Sequence, residues 1–96
     1  MKKFQVTIHF FMDDDFMQAL PEHRQHIDTL IREGVIDLYV VTMESLQAWI
    51  TFTAASKKSV EKYLRQSPLF RYWNYEIAEI FVVDGPYYRL PVLQMN

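Results

Sequence analysis

The segment VIDLYVVTMESLQAWITFTA, residues 35–54, holds two β-rich runs, 35–43 and 46–54, with only Glu44 and Ser45 between them. Valine, isoleucine, threonine and aromatic residues suit a pleated surface, so the pair reads as a β-hairpin. Its turn lacks Asn-Gly or Asp-Gly, which leaves the turn type open. In the second run Ala48, Ile50 and Phe52 alternate with Trp49, Thr51 and Thr53, giving one apolar and one mixed face. The same alternation carried through the first run puts Asp37 and Tyr39 on the mixed face.

Outward from the hairpin, the chain repeats one pattern on each side. Before it, KFQVTIHFF (3–11) sets Phe4, Val6, Ile8 and Phe10 against Gln5, Thr7 and His9, a strand with one strongly apolar face. MDDD (12–15) interrupts, and the main helix is expected to start near Pro21 after a loose turn across FMQAL, because proline suits a first helical turn. Gly34 is expected to end that helix in the left-handed cap position. After the hairpin, Ser56 can cap a helix KKSVEKYLRQ (57–66) striped by Val60, Tyr63 and Leu64. YEIAEIFVVD (75–84) reads as the last strand. The order β-α-β-β-α-β predicts a ferredoxin-like α+β fold: a four-stranded antiparallel sheet with both helices on one face. Residues 1–84 form that domain. Residues 85–96 form a C-terminal tail, apolar enough to pack on its own or a partner subunit.

Composition narrows the function classes. The chain has 96 residues, half of them hydrophobic and 16% aromatic, at a formal charge of −2. That much aromatic surface in one small domain argues for burial against another copy. With 10 basic against 12 acidic residues and no basic block, nucleic acid is not the expected partner. No apolar run is long enough to span a membrane and no signal-peptide pattern opens the chain, so a cytoplasmic protein is expected. Without cysteine there is no thiol nucleophile or cysteine metal site. Two glycines cannot build a phosphate loop or a dinucleotide fingerprint, and no cofactor is expected.

Within the first helix Leu20, His23, Ile27, Leu30 and Gly34 step by 3, 4, 3 and 4, so His23 lies on the apolar stripe. A neutral imidazole there can carry a proton; equally, it can be a core-edge histidine whose nitrogens are merely satisfied. His26 lies off the stripe, and a His23/His26 pair lacks a third metal ligand, so no metal site is expected. The mixed sheet face, carrying His9, Tyr39, Trp49 and Thr51, is the expected lining of a cavity between two sheets of a dimer. QSPLFRYWNYEI (66–77) crowds aromatic residues where a helix hands over to a strand, and Phe70 and Tyr72 are expected to wall that cavity or an intersubunit seam.

Two short stretches resemble known families. Ala19-Leu20-Pro21-Glu22-His23, running on to Glu33-Gly34, is similar to the YCII-related segment in which a histidine follows a proline at the start of the first helix. Arg32-Glu33-Gly34 and Pro68-Leu69-Phe70-Arg71-Tyr72 resemble the muconolactone isomerase family. Both families have the dimeric α+β barrel fold. The resemblance implies a sheet-to-sheet homodimer or higher homo-oligomer with one pocket per subunit. It also implies a catalytic role for His23 and a site position for Ser67, where the YCII-related pattern places a carboxylate before Pro68. The basic and polar residues of the isomerases' second strand are missing from VIDLYVV. Two functions follow as expectations. One is binding or isomerisation of a small aromatic or lactone-like carboxylic compound, with proton transfer by His23. The other is a non-catalytic oligomerisation or small-ligand-binding module.

Overall fold

The computed structural model describes residues 1–85. Four strands and two helices follow in the order β1 (Lys2–Phe10), α1 (Phe16–Arg32), β2 (Ile36–Thr42), β3 (Gln47–Ala54), α2 (Lys57–Arg65) and β4 (Trp73–Glu79), with a 3-10 turn at Phe70–Tyr72. The strands form one antiparallel sheet ordered β2-β3-β1-β4. This is the expected ferredoxin-like arrangement. The expected packing of the tail beyond Gly85 lies outside the described residues.

The helices cover the face built from Phe4, Val6, Ile8 and Phe10 of β1 and Ala48, Ile50, Phe52 and Ala54 of β3, all buried. Phe16, Ile27 and Leu30 of α1 and Val60 and Leu64 of α2 close over them. Ser56 caps α2 by accepting from the Ser59 amide at 3.2 Å. Gly34 takes φ +76° after α1, its amide bonds Ile31 O at 3.0 Å and the Val35 amide bonds Leu30 O at 2.9 Å. This pair of backward bonds is the Schellman ending that a left-handed glycine allows.

Four features differ from expectation. Helix α1 begins at Phe16, five residues before Pro21, because the Asp13 carboxylate accepts the amides of Asp15 and Phe16 at 3.0 and 3.1 Å and turns the chain there. Pro21 is inside the helix, and it and Met17, whose carbonyl it leaves unbonded, are both solvent-exposed. Strand β4 runs from Trp73 to Glu79 rather than from 75 to 84. Trp73 finds a partner in Phe10, whereas after the Ile80 amide bonds Lys3 O at 2.8 Å the neighbouring strand is exhausted. The hairpin turn takes four residues, 43–46, and Leu46 adopts φ +54° while its side chain packs on the core.

The fourth difference relocates a candidate residue. Ile36 pairs with Phe52 but Leu38 pairs with Thr51, so Asp37 is an extra residue, a β-bulge. From there on the alternation of β2 is inverted: Tyr39 opposes Ile50 on the helix-covered face, and Leu38 and Val40 join Thr51 and Trp49 on the open face. The bulge is held by side chains. Lys3 Nζ donates to Asp37 Oδ2 at 2.8 Å and to Thr53 Oγ1 at 2.7 Å, and Thr53 Oγ1 donates to Asp37 Oδ2 at 2.8 Å. Tyr39 therefore does not lie on the mixed face that plain alternation predicted.

Among the described residues no helix is long and apolar enough to cross a membrane.

Candidate functional site

His23 is 1% exposed. The α1 stripe that carries Ile27 and Leu30 into the core also carries this imidazole, and both of its nitrogens are satisfied by side-chain hydroxyls. Nδ1 is 2.7 Å from Ser67 Oγ and Nε2 is 2.8 Å from Tyr39 Oη.

Each hydroxyl is placed by local backbone chemistry. Ser67 follows α2 and opens a tight turn: its carbonyl accepts the Phe70 amide at 3.1 Å, Pro68 supplies the fixed second position, and its Oγ accepts the Leu69 amide at 3.0 Å. Tyr39 reaches His23 because of the Asp37 bulge. Trp73, the first residue of β4, meets the imidazole edge-on at 5.7 Å between centroids.

Burial decides the charge state. It pushes the His23 pKa down from 6.5 to about 4, with the nearby positive charge of His26 and Arg24 acting in the same direction. Burial also raises the Tyr39 phenol. Around neutral pH the pair is thus imidazole and phenol, both uncharged. His26, three residues away, has a different fate: its Nε2 bonds the Tyr63 carbonyl at 2.9 Å. No group of three or more His, Asp or Glu side chains among the described residues is placed to hold a metal ion.

Above His23 the surface opens into a pocket of roughly 360 Å³. Phe10, Leu20, Leu69 and Trp73 give it apolar walls, and the exposed Met17, Arg24, Val41 and Met43 stand around it. It lies between α1 and the sheet, not between the sheets of two subunits.

The expected site residues therefore separate into groups. His23, Tyr39 and Ser67 are joined by direct hydrogen bonds on the covered face. His9, Trp49 and Thr51 lie on the opposite face, where Thr51 Oγ1 donates to Gln5 Oε1 at 2.9 Å and the exposed His9 neighbours Gln47. Phe70 is half-buried outside the pocket wall, packed on Trp73 and Tyr75 at 6.2 and 5.6 Å. Tyr72 is fully buried in the core, edge-on to Phe16, with its hydroxyl donated to Asp13 Oδ1 at 2.7 Å. The crowded 66–77 segment thus contributes Leu69 and Trp73 to the pocket lining, and the buried Ser67 as the partner of His23 Nδ1.

Sequence reasoning passed over Trp73 and Arg24. A signal existed for Arg24, since it follows Met17 and Leu20 by 7 and 4 residues and so flanks the same stripe. For Trp73 there was none, because its inward direction depends on β4 starting two residues earlier than expected.

No family model and no curated protein matches the chain. Among solved structures it is similar to the crystal structure of muconolactone isomerase, with a TM-score of 0.71 and 20% identity over 90% of this chain and 93% of that one. The chain has the muconolactone isomerase-like ferredoxin α+β fold.

Proposed function

We propose that the chain forms a homodimer through its open sheet face, and that each subunit binds a small aromatic or lactone-like carboxylic compound over His23 and shifts a proton on it. Leu38 and Val40, 52% and 42% exposed, stand beside Trp49 and Thr51 on that open face, and association would cover them. The observation that carries the chemical reading is the Tyr39–His23–Ser67 chain at the base of an apolar pocket. A concave, mostly apolar cavity with a few convergent polar groups is the usual form of a small-molecule site.

In this reading His23 carries its proton on Nδ1, donated to Ser67 Oγ, which leaves Nε2 to accept from the Tyr39 hydroxyl. Tyr39 then faces the ligand. Its oxygen takes a proton from a carbon beside the ligand carbonyl while its own proton passes to Nε2, and the reverse transfer delivers a proton to a second carbon. One proton leaves the ligand and one returns, so a double bond moves without oxidant or cofactor. Because the imidazole is a weak base at about 4, the two transfers have to be concerted.

The same observation favours a second reading, binding without turnover: both nitrogens are already satisfied, and Ser67 cannot stabilise an imidazolium as a carboxylate would. Incubating the protein with unsaturated lactones and arylacetates in D₂O separates the two. Turnover of a lactone places deuterium on the second carbon, reversal or re-protonation of an arylacetate places it on the carbon beside the carbonyl, and both Tyr39→Phe and His23→Gln abolish the uptake. Binding seen by NMR with no deuterium uptake selects the second reading.

A further inference from the structure

The pocket lining contains one permanently charged side chain, Arg24. Its situation differs from that of the other described arginines. Arg32 binds Asp28, Arg65 pairs with Glu61 at 3.3 Å, and Arg71 contacts the Tyr72 hydroxyl and lies 4.0 Å from Asp15. Among the described residues Arg24 has no ion pair or hydrogen bond. Asp28, one helical turn on, would be its natural neighbour, but that carboxylate is taken by Arg32.

Arg24 also lines a second hollow of roughly 410 Å³, which runs between α1 and β2 past Ile27, Ile31 and Leu38 and also carries Asp28, bound by Arg32, and Asp37, bound by Lys3. Tyr39 is the other residue common to both hollows. The guanidinium therefore stands on the divide between the apolar pocket and this more polar hollow, next to the phenol that touches His23. A guanidinium offers a planar fork of donors matched to two carboxylate oxygens, and beside apolar walls such a pair is stronger than in open water.

We propose that Arg24 is the specificity-determining residue of the pocket: it grips a ligand carboxylate at this divide and orients the apolar body toward Trp73. This rests on the reading of the pocket as a small-molecule site. The ligand class is then an aryl or unsaturated monocarboxylate, in preference to the neutral or cationic compound of the same shape. Occupancy has a further effect. The carboxylate offsets the Arg24 charge, part of the field that keeps His23 unprotonated, so bound ligand makes the imidazole more basic.

The test uses benzoate and phenylacetate against their neutral amides, benzamide and phenylacetamide, titrated into the full chain and followed at the Trp73 indole N–H by ¹⁵N NMR. The acids are expected to bind roughly tenfold tighter than the amides, with the preference shrinking as salt is raised. Arg24→Gln should erase the preference while leaving amide binding intact, and Arg24→Lys should keep part of it. Equal binding of acid and amide to the unaltered protein, or a preference that survives Arg24→Gln, overturns the role of Arg24 and leaves the pocket reading standing. A Trp73 resonance unmoved by all four compounds overturns both.

Discussion

The two faces of this sheet carry polar residues in different ways. On the open face they pair with one another at the surface, Thr51 with Gln5 and Lys3 with Asp37 and Thr53. On the covered face the buried polar side chains are His23 and Ser67, bonded to each other and packed among aliphatic and aromatic side chains. The contrast teaches that a polar residue on a strand is cheap where water can complete its bonding, whereas one under the helices persists only with partners fixed in advance. Ser67 is fixed by the Ser-Pro turn and Tyr39 by the bulge.

The largest expected effect compares neighbours that point opposite ways. Phe52→Ala, 1% exposed on the covered face, should cost about 3–5 kcal/mol, while Thr51→Ala beside it should cost under about 1 kcal/mol. Urea unfolding at fixed protein concentration reads both. Similar losses would mean that the open face is as deeply buried as the core.

Next comes acid. Folding holds His23 neutral, so the unfolded chain takes up the extra proton first. The stabilisation is complete above pH 6.5 and is withdrawn as pH falls toward about 4, a shift worth about 3 kcal/mol at about 1.36 kcal/mol per pKa unit. His23→Gln should flatten that part of the stability–pH curve, and a slope unchanged by the substitution would detach it from His23.

A smaller effect tests how the faces communicate. Asp37→Ala removes the clamp on the bulge and leaves Lys3 without a carboxylate that it now holds while partly buried. A loss of about 1–2 kcal/mol is expected. The more telling readout is Tyr39, whose raised phenol pKa should move back toward 10 as the ring leaves the covered face. A Tyr39 titration that ignores Asp37→Ala would show that the bulge needs no clamp.

The smallest effect is local. Tyr72→Phe removes the hydrogen bond that does most to hold the Asp13 carboxyl below the ordinary carboxylate range, so the Asp13 titration should rise. The Asp13 carboxyl ¹³C shift followed against pH checks this.

Much of this architecture was legible in the sequence because it rests on local chemistry. The β-α-β-β-α-β order follows from runs of period 2 and 3.6, the α1 ending from Gly34, and the α2 start from Ser56. His23 was visible as a polar residue in an apolar stripe. Ser67 entered through its place before Pro68. Tyr39 was placed on the wrong face because VIDLYVV reads as even alternation, and the one-residue bulge depends on Lys3 and Thr53, which are distant in sequence. The early start of α1 depends on two backbone amides bonded to one Asp13 oxygen, and the span of β4 on where β1 runs out. These are tertiary facts. The pocket was consequently expected between two sheets, while its hollow lies under α1.

The most direct measurement is the pH titration of the His23 imidazole by ¹⁵N NMR. The expected result is a neutral ring in one fixed tautomer until the pH approaches about 4, with Tyr39→Phe perturbing Nε2 and Ser67→Ala perturbing Nδ1. A ring that titrates near 6.5, indifferent to both substitutions, would contradict the buried Tyr39–His23–Ser67 chain and the function proposed from it.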